Sequence, residues 1–352
     1  MSSIFARKGK IDRLQKVHDK RTGRLGETAC CKRSGSRSRF ERYHASKVKW
    51  YAAVENIATL DVLLAFAQYA KCCTREVCCP KFIDAIDGKT FLRLDESVHP
   101  CCGKIKTQGD YIANDVLIGS SESDTGQVLL LTGANMGGKS TLMRQVGTLI
   151  VLAQIGSYVP ARNFTLSPVD CIFTRIGARD SLITVVHLLF TGQSTLFVEL
   201  RETSAILKHA TIHSFVIIDE LGRGTSTWDG TAIAHATLQY ITNHIGCRTI
   251  FSTHYHSLMD SLAANPRIRL GHMACMVENE SEGADPTEEN VVFLYKLAPG
   301  ACPKSYGFNA AKLAGIHVDV IKKAYAKSMY FARMEKERCV VSQVKEAENA
   351  KV

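Results

Sequence analysis

An apolar run, VLLLT at residues 128–132, leads straight into GANMGGKS at 133–140 and then into TLMRQ. The spacing is G-x-x-x-x-G-K-[ST], set between strand-like and helix-like sequence. Each position has its own physical task. Gly133, Gly137 and Gly138 let the backbone curl so that its N–H groups converge on an anion. The helix that starts here adds the positive end of its dipole at the same point. Lys139 is placed to reach the β- and γ-phosphates of a nucleotide, and the Ser140 hydroxyl to ligate Mg²⁺. A plain turn between strand and helix would explain the glycines but not the lysine and hydroxyl that follow them.

Around this loop the pattern alternates. Helical spacing runs from Val48 to Tyr69, with Ala53, Ile57, Leu60, Leu64 and Phe66 as its apolar positions. Phe82–Leu94 reads as strand, and Val116–Leu131 as strand and turn. The helix after the loop continues through Leu142, Val146, Leu149, Ile150 and Ala153 and stops near Gly156 and Pro160. A helix is expected at Glu199–Ala210, a buried strand at Ser214–Ile218, a helix at Gly230–Ile245 and a strand at Arg248–Ser252. Two more strand candidates, Met273–Val277 and Val291–Leu297, flank ENESEGADPTEEN at 278–290. That stretch has six acids, no Lys or Arg and no calcium-loop spacing, so it reads as a solvated loop. The alternation predicts an α/β fold with a mostly parallel sheet flanked by helices.

The net charge of +10 is confined to one end. Residues 1–50 carry 15 Lys/Arg against 4 Asp/Glu, a balance of +11, so everything beyond sums to −1. Residues 1–43 are basic and low in large apolar side chains, which predicts a disordered tail. Its CKRSGSRSR stretch fits a nucleic-acid contact, a nuclear address or merely a solvated tail. Thirteen cysteines include the adjacent pairs Cys30-Cys31, Cys72-Cys73, Cys78-Cys79 and Cys101-Cys102. Adjacent cysteines are poorly placed to share one tetrahedral ion, so free thiols are expected rather than zinc. Strict runs of eighteen uncharged apolar residues are absent, so no membrane span is expected.

Two further segments carry chemistry. FVIIDE at 215–220 is a hydrophobic strand ending in two acids, eighty residues after Lys139. In that position Asp219 serves the Mg²⁺ shell, and Glu220 polarises a water for attack on the γ-phosphate. LGRGTSTWDG follows at 221–230, glycine- and hydroxyl-rich. FSTHYH at 251–256 ends another strand with His254 in reach of a γ-phosphate; a His254/His256 metal pair is the alternative, without an evident third ligand.

Taken together, TGANMGGKSTLMRQ, STLFVELRETSAIL, IIDELGRGTSTWDG and FSTHYHSL closely resemble the MutS mismatch-repair ATPases, a branch of the ABC-type ATPases. GHMACMVENE and FLYKLAPGACPKSYGFNAAKLAG look most like the eukaryotic sixth-homologue subfamily. The resemblance covers about residues 45–330. It implies ATP and Mg²⁺ as ligands, with Gly133, Asn135, Gly137, Gly138, Lys139, Ser140 and Thr141 around the phosphates and Ser140 and Asp219 on the metal. Glu220 would serve the attacking water and His254 the γ-phosphate. Ser194, in GQST at 192–195, matches the signature loop that acts in trans on a partner's nucleotide. Tyr111, in DYIAN at 110–114, falls where the family stacks an aromatic ring on adenine. Residues 303–330 resemble the family's helix-turn-helix, used there for dimer contact; its Lys322, Lys323 and Lys327 offer little for reading bases. The implied segments are a tail at 1–43, a helical remnant of the lever region at 44–79, an ABC-type P-loop ATPase domain at 80–302, and a helix-turn-helix dimerisation segment with C-terminal tail at 303–352.

Departures from the family matter. Ala134 stands where many members have proline. SLITVVHLLF at 181–190 makes a connection about seven residues longer than usual, just before Ser194. The mismatch-reading domain, the connector and most of the lever and clamp are not found, nor is their Phe-x-Glu wedge, which predicts a truncated product or gene-model fragment. The expectation is a nuclear ATPase that works with a second MutS-like subunit, a hetero-dimer, and meets mismatched double-stranded DNA only through that complex. The alternative is a nucleotide-dependent dimerisation module with weak catalysis. An ABC-type ATPase of the chromosome-maintenance kind is disfavoured, because the interval from Lys139 to Asp219 has no room for a long coiled coil.

Overall fold

The computed structural model describes residues 41–85, 89–101, 111–119, 126–177, 194–278, 289–302 and 304–349. The basic tail before residue 41, the 181–190 stretch, most of the acidic segment and Pro303 lie outside them. The chain divides into two compact units, Met1–Cys72 and Cys73–Val352.

The first unit contributes helix α1, Lys47–Cys72. None of its residues is buried, and Ile57, Leu60, Leu63 and Leu64 are all exposed. The helix forms where the sequence placed it, but its apolar positions do not make a core. By length and composition alone it is apolar enough to cross a membrane, with an 18-residue window of mean hydropathy 1.3. The strict criterion of an uncharged run misses this, because the window tolerates up to two charges.

The second unit is a mixed α/β structure built on two sheets. The larger has the strand order β10-β9-β4-β8-β7-β6. Its strands are β4 (Val128–Thr132), β6 (Ile172–Arg175), β7 (Phe215–Asp219), β8 (Arg248–Ser252), β9 (Ile268–Glu278) and β10 (Asn290–Pro299). Every neighbouring pair is parallel except β9 with the edge strand β10. In β4, β7 and β8 every residue is buried, which is why they read as unbroken apolar runs rather than alternating ones. On one face, Val128, Leu130, Val216, Ile218 and Phe251 share a core with helices α3 (Thr195–His209), α4 (Thr227–Tyr240) and α5 (His256–Leu262) through Ile206, Leu238 and Leu258. Helix α2 (Lys139–Gln154) takes the other face. There Gly147 lies close to Ile217, so close that a Cβ would sit 3.1 Å from its Cδ1.

The smaller sheet, order β1-β5-β2-β3, joins β1 (Lys81–Phe82), β5 (Asn163–Leu166), β2 (Leu92–Ser97) and β3 (Asn114–Ile118). The expected single strand over Phe82–Leu94 is instead two, and Val116–Leu131 is divided between the two sheets. Strands β5 and β6 were missed; each has four residues, too few for a period-2 pattern. The sheets are stapled by Arg248, fully buried at the start of β8. Its guanidinium donates to the carbonyls of Phe91, Ser167, Pro168 and His213 at 3.2, 2.6, 2.9 and 2.8 Å. Burial brings its pKa down to about 10, still protonated at neutral pH.

Helix boundaries shift for local reasons. Helix α3 begins four residues before its expected start because the Ser194 hydroxyl caps it, accepting from Phe197 N–H at 3.1 Å. Ser226 does the same for α4, and that helix ends in a wider π-turn, Ile241–Ile245, closed by Gly246 in the left-handed region. Two helices close the chain, α6 (Gly307–Leu313) and α7 (Val318–Asn349), with Phe308 edge-on to Tyr325.

Candidate functional site

The glycine-rich loop runs from the end of β4 to the start of α2, so it emerges at the carboxyl edge of a parallel sheet, where α/β folds open a crevice. Its geometry depends on glycine at two places. Gly133 has φ +130° and Gly138 has φ +98°; a Cβ on Gly138 would meet the Tyr295 ring at 3.3 Å. Gly138 is the N-cap of α2 and has no side chain to satisfy the first N–H groups, which leaves them available for an anion. Met136 also adopts a positive φ, 70°, at the loop's tip.

Lys139 is 5% exposed, and its ammonium donates to the loop's own carbonyls, Gly133 O at 2.8 Å and Ala134 O at 3.1 Å. Burial pushes its pKa down, while the carboxylates of Glu220 and Asp219 pull the other way. Next in sequence, Ser140 Oγ donates to Asp219 Oδ2 at 2.6 Å, and Ser252 Oγ donates to the other Asp219 oxygen. A hydroxyl and a carboxylate held together are the hard oxygen donors that Mg²⁺ takes when phosphates and waters complete its octahedron. The donor set and the glycine cradle therefore fit a Mg²⁺–nucleotide.

Glu220 follows Asp219 with φ 53°, a left-handed backbone costly for a branched or bulky residue and uncommon for glutamate. Its carboxylate bonds His254 Nε2 on one side and Arg223 on the other. The His254 hydrogen bond, followed by the charges of His254 and Arg223, lowers its pKa to about 2 against the opposing effect of burial. Asn135 and His254 line one cleft with Gly133, Lys304 and Tyr306. Asn135 and Thr141 are exposed, and Gly137, within the loop, is buried.

Not every expected site residue gathers here. Tyr111 sits against α2, its phenol donating to Gln145 Oε1 at 2.8 Å, six residues past Lys139. Ser194 is exposed and caps its own helix. The side chain of His256 lies outside the described residues, and among those described no group of three or more His, Cys, Asp or Glu could hold a metal. The tripeptide Phe197-Val198-Glu199 has the Phe-x-Glu spacing, but it lies in α3 inside the ATPase-like segment, with Glu199 buried. Residues that sequence reasoning overlooked are Gln145, Glu199, Arg223, Ser252 and Tyr255. All five lie inside the motifs quoted above, but only Arg223 acts within its own segment, on Glu220. The others depend on which strands and helices become neighbours.

A mixed α/β domain with this loop, paired acids and histidine at one sheet edge defines the class, and the family comparison agrees. A model described as MutS domain V matches residues 129–332, more than half of the chain, so the chain belongs to the MutS family. Within the family it is similar to the DNA mismatch repair protein Msh6 of human, 51% identical over 299 residues, and of chicken, 50% identical over 298 residues. Each comparison takes in 84% of this chain. The DNA mismatch repair protein MutS of Symbiobacterium thermophilum is 39% identical over 284 residues, 81% of the chain and 30% of that relative. The chain spans about a fifth of the length of its Msh6 relatives, 21% and 22%.

Proposed function

We propose that this chain is the ATP-binding and ATP-hydrolysing part of a MutS-like mismatch-repair protein, working as a dimer with composite nucleotide sites. The observation that carries the reading is the Ser140–Asp219 pair at the mouth of the glycine-rich loop, with Glu220 next in sequence. The loop N–H groups and Lys139 hold and neutralise the β- and γ-phosphates of ATP, Lys139 by exchanging its two loop carbonyls for phosphate oxygens. Ser140 and Asp219 would hold Mg²⁺, which when bound would supply positive charge against the phosphates. Glu220, ionised at neutral pH, orients a water in line with the γ-phosphate, and His254 contacts that phosphate. Tyr111 stacks on adenine; its anchor at Gln145 is about 9 Å along α2 from Lys139, a reach suited to a nucleotide's length.

Ser194 completes the site of a partner subunit, and the partner's equivalent completes this one. Residues 303–352 serve dimer contact, an assignment supported by the exposed Met329, Tyr330 and Phe331 of α7. The segment boundaries at 43, 79 and 302, nuclear location and contact with mismatched DNA through the dimer belong to the same proposal. One observation favours the second reading, a weakly catalytic dimerisation module: Lys139 and Glu220 are already satisfied by their neighbours. ATP turnover measured across protein concentration separates the two. A rate that rises with concentration and vanishes in Glu220→Ala supports the ATPase; ATP binding without turnover at any concentration, alone or with a MutS-family partner, supports the module.

A further inference from the structure

Gly222 lies two residues after Glu220, and the two peptide groups that meet at its Cα are each held by a side chain. Its N–H donates to Glu199 Oε1 at 2.8 Å, and its carbonyl accepts from Tyr255 Oη at 2.9 Å. The backbone there cannot shift easily: φ is +88°, and a Cβ would lie 2.5 Å from Gly230 O. The two gripping side chains come from different elements. Tyr255 directly follows His254. Glu199 is on α3, five residues past Ser194, and is 4% exposed, with its second oxygen 3.1 Å from Arg175. The start of α3 touches the same loop again, since a Cβ on Gly224 would sit 3.1 Å from Leu196 Cβ. A buried carboxylate with both oxygens engaged is a stiff connection, because any displacement would strand a charge away from water.

We propose that Glu199 and Tyr255 are positioning residues that, through the backbone on either side of Gly222, hold Glu220 and His254 in register and couple both to the N-terminus of α3 at Ser194. This rests on the ATPase reading above. It adds a route by which a nucleotide engaged in trans by Ser194 alters hydrolysis in cis: a shift of the first turn of α3 moves Glu199, then Gly222, then the water-orienting Glu220. The loop between Asp219 and Gly230 thus acts as a short lever whose fulcrum is Gly222.

The test uses the full chain with Tyr255→Phe, which removes one hydroxyl and keeps the ring, beside Glu199→Gln and Glu199→Ala. Tyr255→Phe is expected to lower kcat about tenfold, the value of one buried hydrogen bond, with KM for ATP changed less than twofold and Tm nearly constant. Glu199→Gln, which still accepts from Gly222, should retain several times the kcat of Glu199→Ala. Amide hydrogen exchange over 220–224 is followed on the same proteins and is expected to quicken in Tyr255→Phe and Glu199→Ala. Unchanged kcat in an active parent overturns the coupling, as does a fall in kcat that merely follows Tm. An inactive parent would sink the ATPase reading alone, and exchange then decides: faster exchange upholds the positioning role, and unchanged exchange overturns it.

Discussion

Replacing Arg248 by methionine tests the staple between the two sheets. The guanidinium is fully buried and donates to four backbone carbonyls, and no carboxylate bonds it among the described residues. Methionine fills a similar length but donates nothing, so four acceptors lose their partner. Charge-assisted hydrogen bonds contribute about 1.5–3 kcal/mol each, but releasing the cation from burial returns several kcal/mol. The Nε of Arg248 is buried without a partner, a further cost that the substitution removes. The net expected loss is about 3 kcal/mol, within the range for breaking a buried polar cluster and equal to a fall of about 6–12 °C in Tm for a domain of this size. Urea denaturation followed by far-UV circular dichroism measures it, with the slope m unchanged. ATP affinity at low temperature should be preserved, because Arg248 is about 13 Å along β8 from Ser252 at the site. A stability loss under about 1 kcal/mol would refute the reasoning, as would lost ATP affinity with Tm intact.

Four other substitutions bear on the site. Gly138→Ala forces an L-residue to φ +98° against Tyr295, at a strain of about 1–2 kcal/mol, so calorimetric ATP affinity should fall about tenfold; an unchanged value means the left-handed cap is dispensable. Ser140→Ala and Asp219→Asn each remove an oxygen donor, and turnover should drop at least about a hundredfold with a much weaker Mg²⁺ requirement. A Mg²⁺ titration with the parent's midpoint would count against them. Glu220 is held ionised in the fold, from the ordinary 4.5 down to about 2, so its pairing stabilises the protein above pH 4.5 and fades as pH falls towards 2. After discounting for solvent screening the gain is about 1 kcal/mol, visible as a stability gap between parent and Glu220→Gln that narrows in acid. A gap that widens in acid would contradict the assignment.

The glycine-rich loop, the acids at the end of β7 and the histidine after β8 could all be read from the chain. The reason is physical: phosphate binding demands glycines, a lysine and a hydroxyl at fixed separations, and all of them sit in one contiguous segment. The buried parallel strands were equally plain, because they are apolar on both faces. Tertiary structure decided matters that no local pattern encodes. Only the sheet order β4-β8-β7 brings Ser252 and Ser140 to opposite oxygens of Asp219. Nothing beside Arg248 in the sequence foretells the four carbonyls from remote loops that close around it, nor does anything beside Glu199 foretell that α3 docks it against Gly222. Short strands such as β5 and β6 take their conformation from neighbours rather than from propensity. A binding loop is specified by residues adjacent in sequence; the supports that aim it are specified by residues adjacent only after folding.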